Sequence, residues 1–268
     1  MLKNITLGQY YPGESFIHRL DPRTKLVFVF VMVVLIFLFS TWYGYALMFA
    51  VLAASIIASG INFRYLLKGL KPLWFIIAFT FVLNLLFTNT GKVLFEIGRF
   101  KLTTDGLVLA AELVARLVFL IMMTTLMTYT TSPIQLTDAI ERLFKPLKKI
   151  GFPVHELAMM MTIAIRFIPT LIEETDKIMK AQMARGAEFD SKNLFKRAAG
   201  MVPLLVPLFV SAFRRADELA FAMEARCYRG GEGRTKMKVL VMAGRDYAVF
   251  TLMVLLTASP VIERLWLK

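Results

Sequence analysis

From Leu26 to Phe63 the chain runs 38 residues without a charged side chain. As one helix this stretch would be about 57 Å long, against a hydrocarbon core of about 30 Å. A single span cannot use it. The stretch predicts two membrane-crossing helices, broken at Ser40-Thr41-Trp42-Tyr43-Gly44, where the aromatics suit a membrane interface. Composition agrees, with 57% hydrophobic residues and a mean hydropathy of +0.63, above the ~45–50% apolar content of soluble domains. The net charge is nevertheless +13. Apolarity and basicity coexist most easily when the charges collect on one side of a membrane. Nucleic-acid binding, the other common reading of a basic chain, is disfavoured because the apolar residues come in span-length runs. The lone cysteine, Cys227, leaves no internal disulfide and no cysteine-rich metal site. The first 25 residues lack an apolar h-region, so no cleavable signal peptide is expected.

Ahead of this run lies an irregular arm, residues 1–20, with a turn at Tyr10-Tyr11-Pro12-Gly13. Asp21-Pro22 then supplies a cap and a first helical residue. After the run come a basic loop (Arg64, Lys68, Lys71) and a third span from Pro72 to Gly91. Asn84 within it needs a neighbouring helix as partner. A mixed-charge connection from Lys92 to Asp105 leads to a fourth span, Gly106 to Thr131. Glu112 and Arg116 lie on one face of it and can pair. A helix-end pair near the interface is favoured over a functional intramembrane site. The fifth span, Tyr247 to Ile262, ends in Glu263-Arg264-Leu265-Trp266, a tryptophan anchor.

Between spans four and five lies a long, mostly helical passage. Ser132-Pro133 opens an amphipathic basic helix of interface type, with Ile134, Ile140, Leu143, Phe144, Leu147 and Ile150 opposed to Arg142, Lys145, Lys148 and Lys149. Gly151 ends it and Pro153 begins the next. From Val154 to Met183 the apolar residues recur every three or four positions, a helix with one buried stripe. The pairs Glu173–Lys177 and Asp176–Lys180 imply that its C-terminal half leaves the lipid. A second long helix is expected from about Lys192 to Arg226, kinked or divided at Pro203 and Pro207. Ala212, Ala216 and Ala220 would let a neighbour approach it closely, and Arg214–Glu218 would pair on its surface. Tyr228 to Arg234 is a glycine-rich basic loop. Of the 32 basic residues, 19 fall between Thr131 and Asp246. The short loops that would lie opposite hold no basic residue in one case and three in the other. The positive-inside rule therefore puts the N-terminus and the helical passage in the cytoplasm and the C-terminus outside.

Catalytic signatures are missing. There is no GxxxxGK[ST] loop, so ATP hydrolysis by this chain is not expected. Gly230-Gly231-Glu232-Gly233 lacks the setting that cradles phosphate and reads as a hinge. His18 and His155 have no metal-site partner pattern, and Met159-Met160-Met161 reads as adaptable packing rather than a soft-metal site. What does repeat is a tripeptide. Ala184-Arg185-Gly186 and Ala225-Arg226-Cys227 each close a long helix, 41 residues apart. An arginine there favours the helix dipole. Small flanking residues also clear space for the guanidinium to enter a groove on another protein.

The segment from Met223 to Thr235 resembles the signature of the transmembrane coupling subunit (EcfT) of energy-coupling factor transporters, the CbiQ/EcfT family. Ala184-Arg185-Gly186 is similar to that family's other Ala-Arg-Gly motif, and His18 to Leu26 to its usual entry into the first span. The resemblance covers essentially the whole chain; Cys227 stands where the family usually has glycine or serine. It implies an all-α polytopic membrane protein with about five transmembrane helices plus a cytoplasmic coupling domain of one amphipathic helix and two long crossed helices. The corresponding division is 1–131 (four spans), 132–240 (coupling domain) and 241–268 (last span). It further implies a non-enzymatic subunit of a bacterial or archaeal ABC importer for vitamins or related micronutrients. The partners implied are two ABC ATPases (EcfA and EcfA′-like), which hold the ATP and magnesium, and a substrate-binding S-component. Ala184, Arg185, Gly186, Ala225, Arg226 and Cys227 would dock the ATPases. Met159, Met160, Met161, Ile165, Ile168 and Ile172 would face the S-component. No cofactor or metal is expected in this chain. The alternative is a self-contained secondary transporter, against which the lack of repeated, broken spans with midplane charges counts.

Overall fold

The computed structural model describes residues 10–39, 41–88, 90–97, 100–187, 194–231 and 240–266. Ser40, Lys192 and the loop residues Glu232 to Arg234, all used above, lie outside the described residues, as does the arm before Tyr10. The protein is an all-α polytopic membrane protein with one small β-hairpin. Its helices are α1 (Pro22–Leu38), α2 (Trp42–Ser59), α3 (Phe63–Leu70), α4 (Trp74–Phe87), α5 (Thr104–Thr130), α6 (Pro133–Phe144), α7 (Val154–Ala184), α8 (Leu194–Ala225) and α9 (Gly244–Trp266). The hairpin pairs β1 (Val93–Ile97) antiparallel with β2 (Phe100–Thr103) in the connection before α5. Residues 8–139 with 240–268 form one compact unit, and 140–239 belong to another.

In the first unit α5 is the hub, packed against α1, α2, α3 and α4. Met32, Ile36, Met48, Leu66 and Phe119 are fully buried around it. The uncharged run does divide: α1 stops at Leu38 and α2 starts after Thr41. The basic stretch after Phe63 is helix rather than loop. Asn62 caps it by accepting from Arg64 N–H at 3.1 Å, and Pro72 then imposes a single 3-10 turn, Lys71–Leu73, before α4. Glu112 and Arg116 pair at 3.8 Å. Arg116 also reaches the Phe39 carbonyl (3.5 Å) and lies over the rings of Phe37 and Tyr45, so the pair braces α5 against the turn between α1 and α2. Asn84 is satisfied within its own helix, donating to the Thr80 carbonyl at 2.8 Å.

Four described helical runs are long and apolar enough to cross a membrane: Trp42–Ser59, Phe63–Phe87, Thr104–Thr130 and Val154–Ala184. The last owes this to its first half, because Glu173, Glu174, Asp176, Lys177 and Lys180 all fall in the second. With 17 residues, α1 is about 26 Å long, slightly under the core thickness.

The motif entering α1 ties three helices together. Asp21 caps α1 by accepting from Arg23 N–H at 2.9 Å, and the Arg23 guanidinium returns to both Asp21 oxygens at 3.1 and 2.9 Å. The backbone N–H of Asp21 donates to Asp246 Oδ1 (2.9 Å), and Asp246 Oδ2 accepts from Ala243 N–H (2.8 Å) ahead of α9. Lys25 Nζ donates to the carbonyls of His18 and of Thr130 at the end of α5 (3.2 and 2.8 Å). Asp21, Lys25 and Asp246 are 6%, 5% and 1% exposed, so burial without these bonds would be costly. Asp246→Ala removes the acceptor of two backbone donors. It should lower stability by about 2–4 kcal/mol, measured as a lower unfolding midpoint in detergent; an unchanged midpoint would show that the carboxylate has no structural role.

Candidate functional site

The repeated tripeptides are one backbone structure built twice. At the end of α7, Gly186 N–H donates to the Met183 carbonyl and Ala187 N–H to the Gln182 carbonyl, both at 3.0 Å. At the end of α8, Cys227 N–H donates to the Glu224 carbonyl (2.8 Å) and Tyr228 N–H to the Met223 carbonyl (3.0 Å). In each case the arginine is the helix C-cap and the next residue is left-handed: Gly186 at φ 87° and Cys227 at φ 55°. This two-bond cap satisfies the last carbonyls of a helix and normally takes glycine. Cys227 is the only non-glycine residue at positive φ among the described residues. The third position of the motif is therefore set by conformation as well as by size.

Ala184, Arg185, Gly186, Ala225, Arg226 and Cys227 are all exposed. Neither arginine side chain has a hydrogen-bond or ion-pair partner among the described residues. Both guanidiniums are presented from hydrogen-bonded backbone, with no described residue taking up their donors.

The two helices meet at a polar clamp. Glu174 on α7 accepts from Ser211 Oγ and from Arg215 Nε and Nη2 (3.1 and 2.8 Å) on α8. Glu174 lies 11 residues before Arg185, and Arg215 lies 11 residues before Arg226. Each arm from clamp to cap is thus about 16 Å long. The expected surface pairing differs in detail. Asp176–Lys180 forms at 2.8 Å, whereas Glu173–Lys177 and Arg214–Glu218 form no ion pair, and it is Arg215 that is engaged. Of the alanine row, Ala216 and Ala220 are exposed and Ala212 is half-buried. Pro203 and Pro207 do not divide α8, which runs unbroken from Leu194 to Ala225, and Pro169 sits inside α7 likewise.

Of the methionine and isoleucine set, Met161, Ile165, Ile168 and Ile172 share one side of α7. Met159 and Met160 do not join them, because consecutive helical residues turn by about 100°. Met160 and Met161 are 53% and 43% exposed. On α8, Phe209, Phe213 and Phe221 are 60%, 68% and 70% exposed. Only 6% of the apolar window in α7 is buried within the chain. Apolar surface on this scale marks contact with lipid or protein. Among the described residues no group of three His, Cys, Asp or Glu is placed to hold a metal ion.

A family model described as "CbiQ: Cobalt transport protein" matches residues 13–237. The chain is also 56% identical over 263 residues to the energy-coupling factor transporter transmembrane protein EcfT of Thermosediminibacter oceani, covering 98% of this chain and 99% of the relative. The proteins of the same name from Clostridium kluyveri and Bacillus subtilis are each 52% identical, over 99% and 96% of this chain and 99% and 97% of their own lengths. The chain belongs to the CbiQ family. These members carry the names of transporter membrane components, not of enzymes, and a chain of long apolar helices fits that class.

The left-handed caps make a direct prediction. Cys227→Gly should stabilise the end of α8 by about 1 kcal/mol, and Gly186→Val should destabilise the end of α7 by at least as much. Amide hydrogen exchange over 182–187 and 223–228 reads both; exchange that responds to neither change would contradict the cap geometry.

Proposed function

We propose that this CbiQ-family chain is the transmembrane coupling subunit of an energy-coupling factor importer. In this reading the work of ATP binding and hydrolysis is done by two separate cytoplasmic ABC ATPases, and the substrate is held by a separate membrane S-component for vitamins or related micronutrients. Residues 132–240 act as the coupling domain on the cytoplasmic side, between the four spans of 1–131 and the last span of 241–268, whose C-terminus lies outside. The observation that carries the proposal is the duplicated cap: two exposed arginines, each held at a capped helix end beside small residues. A guanidinium so placed can enter a groove and pair bidentately with carboxylates.

The clamp supplies the mechanics. Arg185 and Arg226 are the ends of two equal arms that meet at Glu174, Ser211 and Arg215. If the ATPases close and draw the two arginine ends together, the angle between α7 and α8 must change about that junction. The exposed apolar residues of the two helices, with Met161, Ile165, Ile168 and Ile172 on one side of α7, then shift beneath whatever membrane partner rests on them. Methionine suits a surface that must hold and release a partner.

Arg185→Glu with Arg226→Glu should abolish co-purification with the ATPases and reduce uptake to background. A double variant that still co-purifies with both ATPases and transports normally would refute docking through these residues. Glu174→Ala should separate the two functions, leaving ATPase binding intact while lowering uptake by about tenfold or more per ATP hydrolysed, since a clamp bonded to a charged group is worth about 1.5–3 kcal/mol. Uptake by the purified chain alone under an ion gradient would instead favour a secondary transporter.

A further inference from the structure

The turn that follows the Arg226 cap folds against other parts of its own unit. Arg229 to Gly231 form one wall of a cleft of about 610 Å³, whose remaining walls are the end of α6, the 3-10 turn Lys145–Ile150 and the first turn of α7. Gly231 is pressed so closely on His155 that a Cβ there would meet the ring at 2.6 Å. Four cations line the cleft: Arg142, Lys145, Lys148 and Arg229. Two carboxylates oppose them, Glu141 and Glu156, and Glu141 is already engaged with His155 Nδ1 at 2.9 Å. His155 Nε2 is shielded from solvent and has no hydrogen-bond partner among the described residues. The cleft also receives the start of α7, where Pro153 stands at the cap and no side chain caps the helix. Val154 N–H already donates to the Phe152 carbonyl (2.8 Å); the next backbone N–H groups of a helix start lack intrahelical acceptors and carry partial positive charge, an arrangement that favours phosphate.

The turn that carries two of these cations points to the source of that phosphate, because its other sides are apolar. Phe144, Leu147, Ile150 and Phe152 are 48%, 37%, 85% and 46% exposed, and they interleave with exposed Lys145, Lys148 and Lys149. A soluble phosphate needs no apolar surface on the turn that holds it. A lipid does, because its chains leave the head group along apolar surface while lysines reach up to the phosphate.

We propose that this cleft is a head-group site for an anionic phospholipid, with the phosphate held by Lys145, Lys148, Arg229 and the N-terminus of α7, and the acyl chains on Leu147, Ile150 and Phe152. Arg229 is three residues beyond Arg226, so an occupied site would tie the Arg226 cap to the membrane surface. That consequence rests on the docking role of Arg226; lipid binding itself does not, and it is tested without any ATPase.

The full chain in mild detergent is offered phosphatidylglycerol and phosphatidylcholine in equal amounts, and retained lipid is counted by native mass spectrometry. Phosphatidylglycerol should be retained at least about fivefold over phosphatidylcholine, the preference that one surface cation confers. Lys145→Ala/Lys148→Ala/Arg229→Ala should erase that preference. Arg166→Ala/Lys177→Ala/Lys180→Ala, which removes as many cations from exposed positions of α7, should keep it. Lys145→Gln/Lys148→Gln replaces the first variant if circular dichroism shows that it has not folded. Equal retention of the two lipids, or equal loss in both variants, would overturn the proposal. Retention of inorganic pyrophosphate by the unaltered chain with no lipid preference would assign the cleft to a soluble phosphate and overturn the lipid as occupant.

Discussion

The last carbonyls of a helix need donors, and this chain meets that need at the ends of its two longest helices with the same two-bond cap. The cap fixes more than the backbone. It places an arginine at the C-cap, one residue past the last helical position, and turns the chain away immediately behind it, leaving the side chain exposed. A side chain on a frayed end would lose rotamer and backbone freedom on entering a partner's groove. One presented from a closed cap has less to lose, which favours tight and oriented docking. The left-handed residue makes this possible, and Cys227 occupies that conformation at a cost that glycine would avoid.

The rest of the unit that holds α7 and α8 follows from helices with little of their own to pack against. Residues along α7 and α8 expose methionine, valine, leucine and phenylalanine, yet the contact between the helices that can be named is polar. A charged clamp is a poor source of stability but a good source of register. It fixes where the two helices touch and leaves their apolar sides available. Apolar surface of this extent in a member of a transporter family is covered by lipid or by protein. By contrast, the unit built around α5 has a fully buried core and a knot of buried Asp21, Lys25 and Asp246 with half-buried Arg23.

Much of this was legible in the sequence, for identifiable reasons. An uncharged run too long for one helix had to break, and it broke beside Trp42. The two arginine tripeptides were visible as a repeat because caps are local. What stayed hidden was chiefly non-local. Nothing near Asp21 points to Asp246, 225 residues away, and nothing near Glu174 points to Arg215. Other differences are local. Charge makes Arg64, Lys68 and Lys71 look like a loop, although Asn62 is a good helix cap. Pro146 opens a 3-10 turn after α6. Met159, Met160 and Met161 are adjacent in sequence but turn to different sides of α7. The conformation of Cys227 is not readable from an L-residue without a structure.

The docking claim can be tested at one atom. Cys227 is the only cysteine in the chain and it is exposed, so a short thiol-attached photo-crosslinker reports what lies against the α8 cap in the assembled transporter. The same label can be moved to Gly186→Cys in a Cys227→Ser background, since Cys227 itself shows that cysteine tolerates the left-handed cap. Docking at the caps requires a crosslink from each position to an ATPase subunit, and none from a label at Lys92→Cys in the hairpin connection. An intact complex in which the cap labels capture no ATPase, or capture it no more than the label at position 92, would contradict it.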